Sequence, residues 1–448
     1  MAVPITSSES KLAIRMRKLG QAIGRPVFAV VLAMVAGGIV IMITAPGNLG
    51  DRFNEAVAAY QALFTGAFGN PQNFSFTLTA VTPLILTGLS VALSFRGGLF
   101  NIGAAGQLAV GAMTAGIIAF EARTWPGWVL IPLMLIGSML AGAIWGSIVG
   151  ILKAWRGAHE VVTTIMLNWV AFYFTDYLIN GPFRASNLAG QTDALPRQAT
   201  LPHVADFYNA TLGTFLPKID QPAQYLVDVG IFFALFAMLV YWFLTSRTTF
   251  GYEVRVIGQN PKAARYAGIP IKRNIFAIMA IAGAFSGLAG GLQLMGQFPY
   301  QLIAQTFSIQ TTGFDAIGVA LLGRTTAIGV LLGALLFGGL RQGGTIMQLN
   351  ANIPGDLVYI IQALVLFSIA TEFLPSIQRS FSKRFAGSSR PSLIPMANDA
   401  VVVDRIEQDN GVTQNGSTAS EQAKVSTIDA GSTLPTTSES SSQRVEEE

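Results

Sequence analysis

The chain alternates long apolar runs with short polar breaks. Runs without sustained charge cover residues 27–45, 77–95, 102–120, 129–152, 161–179, 226–245, 275–295, 309–322, 327–343 and 357–374. Most are close to the ~20 residues an α-helix needs to cross a bilayer. The pattern therefore predicts an all-α polytopic membrane protein with about ten transmembrane helices. The run at 309–322 is short and bounded by Arg324. It reads as a broken or re-entrant element, which membranes tolerate where the backbone faces protein or water.

Charge sets the expected sidedness. Lys11, Arg15, Arg17, Lys18 and Arg25 precede the first run, Lys153 and Arg156 follow the fourth, and Arg379, Lys383, Arg384 and Arg390 follow the last. Basic residues stay on the cytoplasmic side, so both termini are predicted inside, with residues 1–26 as a cytoplasmic segment. The first run is longer than a secretory apolar core, which favours an uncleaved span over a signal peptide. Residues 46–76 then form an external polar loop. Residues 181–225, poor in charge and rich in proline, form a second external loop able to fold as a small cap.

Composition confirms the class. Of 448 residues 51% are hydrophobic and 12% charged, half the charge of an ordinary soluble chain. Net charge is +4, but from Pro391 onward there are 10 acids and 3 bases. The basic bias belongs to the membrane body, where it suits topology and lipid contact and not nucleic acid. Residues 376–448 turn rich in Ser, Thr, Gln and Glu and are expected to be a disordered cytoplasmic tail beyond the transmembrane domain at 27–375. With no Cys and only His159 and His203, neither thiol chemistry nor a histidine metal site is expected. Small residues four apart, at Gly142, Gly146 and Gly150 and at Gly283, Gly287 and Gly291, suit close approach of neighbouring helices.

The polar break at 246–274 is the longest basic stretch between spans. It carries Arg247, Arg255, Lys262, Arg265, Lys272 and Arg273 against Glu253, which places it inside. Within it lies a short helix signature: Asn260 as N-cap, Pro261 at the first position, then Lys262, Ala263, Ala264, Arg265 and Tyr266, with Gly268 as the stop. A helix this short needs a surface to lie against, either the protein's own spans or a separate cytosolic protein.

The run GYEVRVIGQNPKAARYAGI that contains this signature resembles the coupling loop of ABC-transporter permeases of the simple-sugar and nucleoside class. RGGLFNIGAAGQ (96–107) resembles the FNIG-x-x-GQ signature of the same class, with Ala105 where many relatives carry Glu. HEVVTTIMLNWVAFY (159–173), TTGFDAIGVALLGRTTAIGVLLGALLFGGLRQG (311–343) and IPGDLVYIIQALVLF (353–367) continue the likeness in order. The resemblance implies an importer permease in a bacterial plasma membrane. It would be partnered by an ABC ATPase subunit that docks on residues 260–268, a second homologous permease and an external substrate-binding protein. Nucleosides or simple sugars are the implied solutes, with the GLFNIG and IMLN forms leaning toward nucleosides.

Candidate path residues are Phe100, Asn101, Gln107, Asn168, Phe314 and Asp315. Amides at Asn101, Gln107, Asn168 and Gln293 can address hydroxyls or a nucleobase, and Phe100, Phe298, Tyr300 and Phe314 offer stacking faces. For any one of them a helix–helix hydrogen bond or packing contact is the commoner role. Asp315, an ionisable group at a broken span, should face a cavity or find a partner such as Arg324. No G-x-x-x-x-G-K-[ST] phosphate loop occurs, so ATP hydrolysis is expected on a separate chain and no cofactor is implied. No nucleophile elbow or metalloprotease helix argues for an enzyme. The rival reading is a secondary transporter or channel for a small polar solute, which would have no use for a capped cytosolic helix.

Overall fold

The computed structural model describes residues 11–309, 312–351 and 356–370. The expected tail at 376–448, its basic cluster at Arg379–Arg390, and residues 1–10 of the N-terminal segment lie outside them. The helices in chain order are α1 (Lys11–Thr44), α2 (Leu49–Phe68), α3 (Pro71–Arg96), α4 (Ala104–Glu121), α5 (Gly127–Arg156), α6 (Glu160–Asn180), α7 (Val204–Thr211) and α8 (Gly230–Arg247). They continue with α9 (Thr249–Gln259), α10 (Pro261–Tyr266), α11 (Ile271–Gly296), α12 (Thr306–Ile309), α13 (Thr312–Leu322), α14 (Ala327–Ala351) and α15 (Asp356–Ala370). Among the described residues β-structure is limited to two isolated bridges, Gln191 with Ile303 and His203 with Asp228.

Among the described residues, eight helices are long and apolar enough to cross a membrane: Val27–Thr44 within α1, then α3, α4, α5, α6, α8, α11 and α14. Two shorter apolar helices, Thr312–Leu322 and Leu357–Phe367, occupy the positions of the remaining expected spans. The expected broken span at 309–322 falls on the end of α12 and on α13, with residues 310–311 between them outside the described residues, and Arg324 and Thr325 turn the chain after α13 at positive φ of 48° and 55°.

The stretch at 46–76 is not a loop. Asn48 caps α2 by accepting from the Asp51 N–H while the Asp51 carboxylate accepts from the Asn48 N–H, a reciprocal box that starts a helix despite the polar surroundings. Asn70 then caps α3 with Pro71 in its first turn, so that span begins six residues earlier than its apolar run. α2 packs on α14 where Gly66 faces Ile346: a Cβ on that glycine would lie 2.4 Å from the Ile346 Cβ.

Helices α3, α4 and α11 form the interior, while α5, α6 and α8 present long apolar faces outward. Burial of α11 rests on backbone proximity. A Cβ on Gly283 would lie 2.1 Å from the Gly142 carbonyl oxygen of α5, and one on Gly290 would lie 2.0 Å from the Leu108 oxygen of α4. Only glycine admits such contact, the membrane equivalent of a tight core. At the two ends of α5, Trp128 and Trp155 are 80% and 55% exposed. Their 27-residue separation corresponds to about 40 Å of helix, which places one ring at each interface of a bilayer.

Candidate functional site

At one end of the bundle, α9 and α10 make a compact pair. Asn260 Oδ1 accepts from the Lys262 and Ala263 N–H groups at 3.0 and 3.1 Å. Gly268 adopts φ +73° and the Ile269 N–H closes on the Ala264 oxygen, the left-handed stop that glycine favours. Of the predicted coupling residues, Ala264 is fully buried and turned inward, while Lys262, Ala263, Arg265 and Tyr266 are exposed, Tyr266 at 93%. The short helix thus has one face against the protein and one face of a base and a phenol ring outward.

The sequence reading missed α9, whose signal is Gly251, Val254 and Ile257 buried on one side of an otherwise polar helix. α9 is seated by the Arg255 guanidinium donating to the Thr245 oxygen and by Asn274 Nδ2 donating to Glu253 Oε2 at 2.7 Å. Its Gly258 abuts α3 directly: a Cβ there would lie 2.1 Å from the Arg96 oxygen. Arg96 in turn donates to the Thr325 oxygen, lies 5.4 Å from the centroid of the Tyr241 ring, and shares that oxygen with the Tyr241 hydroxyl. The α9–α10 pair, the end of α3 and the α13–α14 turn therefore meet at one place.

The signature loop between α3 and α4 is held by the amides singled out from sequence. Asn101 Nδ2 donates to Ser90 Oγ and Gln107 Oε1, and Gln107 Nε2 donates back to Asn101 Oδ1. Asn168 reaches across from α6, accepting from the Gly106 N–H at 2.8 Å and donating to the Ile102 oxygen. All three are at most 2% exposed. Their polar atoms lock the irregular backbone in place.

Phe100, packed on Phe95 at 4.8 Å, and Phe314 are about half exposed. Phe314 and Asp315 open α13 next to Gly313, which meets the backbone of Ala105. Arg324 lies beyond the end of α13, in the turn that leads into α14. The cation near this element is Arg341 of α14, half-buried, which donates to Thr312 Oγ1 at 3.0 Å. Arg341 lies inside the apolar run read at 327–343, and α14 continues eight residues beyond that run.

At the opposite end of the bundle, residues 181–229 fold as short helical turns around α7. They are joined to the 295–304 segment by four main-chain hydrogen bonds: Thr192 N–H to Leu302 O, Leu195 to Tyr300, Leu201 to Met295 and Ala304 to Gly190. Beneath that junction lies a cavity of about 290 Å³ between α4, α11 and α12. At its flank the Asp228 carboxyl, 2% exposed, accepts from the Gly230 N–H at 2.7 Å. Burial pushes its pKa up to about 6, against the opposing pull of that hydrogen bond and of His203. Tyr300 contacts His203 Nε2 at 3.3 Å, and burial, followed by the Asp228 and Asp206 charges, raises its pKa.

A family model described as branched-chain amino acid transport system, permease component, matches residues 73–370. The guanosine ABC transporter permease protein NupP of Bacillus subtilis is 37% identical over 78% of this chain and 93% of its own length. The nucleoside ABC transporter permease protein NupB of Lactococcus lactis is 32% identical over 81% and 94%. The glucose ABC transporter permease protein TsgB13 of Haloferax volcanii is 32% identical over 83% and 93%. No solved structure matches.

Proposed function

The chain belongs to the family of branched-chain amino acid transport system permease components and is a permease subunit of an ABC transporter, and from that premise we propose that it forms the import path for a nucleoside or simple sugar. The observation that carries the coupling part of this reading is the α10 knob, with Ala264 buried and Arg265 and Tyr266 displayed. A separate ATPase docks on that exposed face. Its closure moves α10, and the α9 contact at Gly258 transmits the movement to α3 and to the α13–α14 turn.

The cap at 181–229 faces outside, opposite the basic α9–α10 end, and offers Phe207, Leu212, Phe215 and Leu216 as exposed apolar contacts for a substrate-binding protein. A second permease of the same family completes the path, in a bacterial plasma membrane with both termini inside. Phe100, Phe314 and Asp315 face this path, and the buried Asn101, Gln107 and Asn168 shape it from behind.

The test replaces Arg265 with Glu and Tyr266 with Ala in the assembled system. Membrane insertion is expected to be normal, since both side chains point away from the fold, and ATP-dependent uptake of adenosine and glucose is expected to vanish. Undiminished uptake in the double variant would overturn the assignment of α10.

A further inference from the structure

The cavity under the cap has a chemistry of its own. Its wall carries three carboxamides, Gln293 on α11 with Gln297 and Gln301 on the loop that follows, and the hydroxyl of Thr306. Two aromatic rings, Phe298 and Phe307, join them. None of the lining residues is charged.

Each of these features narrows the ligand. An amide offers a donor and an acceptor in one fixed fork, the geometry that Gln and Asn use to read the adjacent acceptor and amino group on a purine edge. An aromatic ring adds a stacking surface that a flat heterocycle uses fully. The Gln297 side chain is oriented by donation to the Thr79 oxygen, and that of Gln301 by donation to Gln191 of the cap, both at 3.0 Å. Each bond uses one of the two hydrogens of its NH₂ group. Phe298 is 81% exposed, which leaves its ring available at the mouth. A volume of about 290 Å³ lies at the lower limit of small-molecule pockets and suits a single base.

The uncharged wall is as telling as the amides. A phosphate brought into it would lose hydration without gaining a cation, and the carboxyl groups beside it, Asp228 against Gly296 and Asp176 accepting from the Gln305 N–H, are acids.

We propose that this cavity is a permease-borne reading site for the base of an uncharged purine nucleoside, formed by Gln293, Gln297, Gln301 and Phe298, which rejects the corresponding nucleotide. The assignment rests on the nucleoside reading above and deepens it: selection occurs in the membrane subunit as well as in any external binding protein.

The absence of cysteine from the chain supplies the test. Ile303, at the cavity wall and 39% exposed, is replaced by Cys in the full assembled complex, and its reaction with a membrane-impermeant maleimide is followed on this subunit. Adenosine is expected to slow the reaction in a saturable manner, while adenosine 5′-monophosphate and glucose leave it unchanged. Adding Phe298→Ala should raise the protecting adenosine concentration about tenfold. An unreactive thiol, protection by the nucleotide at equal concentration, protection by glucose alone, or an unmoved protection curve in the Phe298→Ala variant would each overturn the site. If the unmodified complex imports adenosine and the thiol is never protected, the site falls and the importer reading stands. If the complex imports neither adenosine nor glucose, the importer reading falls with it.

Discussion

Asp228 illustrates what one side chain does to the cap. Its carboxyl is buried, and burial outweighs the backbone N–H groups of Gly230 and Asp228 that favour the charged form, so its pKa rises from 3.8 to about 6. The native state therefore holds its proton through a window in which the unfolded chain has lost it. Stability from this group is intact below pH 4, declines as pH rises from about 4 to 6, and stays reduced above that. The difference amounts to about 3 kcal/mol. Thermal unfolding at pH 4.5 and 7.5 should show the native protein losing stability relative to Asp228→Asn as pH rises. Equal shifts in both proteins would refute the account. At this scale the sequence was partly legible. Asn101, Gln107 and Asn168 stood out as amides beside an irregular loop, but residue type alone does not say whether an amide bonds a solute or a neighbour. Their burial and mutual hydrogen bonds resolve that for this structure.

Among the elements, α11 depends most on what is missing from its surface. Gly283 and Gly287 bring its backbone onto α5, and Gly290 brings it onto α4. A methyl at Gly283 has nowhere to go, since the obstruction is the Gly142 main chain. Gly283→Ala should cost ~2 kcal/mol or more through overpacking. Gly24→Ala in α1, with nothing within 4 Å, should gain up to ~1 kcal/mol from helix propensity. Thermal midpoints in detergent compare the two, and equal midpoints would remove backbone contact as the cause. Hydropathy located every span because burial in lipid demands an unbroken apolar run. It missed α2 and α9, whose polar outer faces dilute the signal and whose starts are set by the Asn48 and Thr248 caps. It also clipped α14, whose polar last turns carry the helix eight residues past Gly343.

In the whole molecule, two ends are joined through few points. The Gly258–Arg96 contact is the main-chain link between α9 and α3, and Arg96 continues it to Thr325. Gly258→Val should force α9 away from α3. Nucleotide hydrolysis by the assembled complex is then expected to persist while solute uptake falls at least tenfold, measured in parallel on the same vesicles. Retention of uptake would show that force reaches the spans by another route. The placement of this link was not readable in advance, because it brings residue 96 beside residue 258 through backbone alone and leaves no pairing of side chains for a sequence to reveal.

The seam between residues 190–201 and 295–304 has the same character at the other end. Its four bonds are made by peptide groups, so side-chain truncation leaves every one of them intact. Alanine scanning across this roof would remove the bonds of Leu302 N–H to Thr192 Oγ1 and of Gln301 to Gln191 beside them, but would leave these four in place. Only changes that delete an amide hydrogen or shift the register, such as proline at Thr192 or Leu195, would loosen the lid from the wall below.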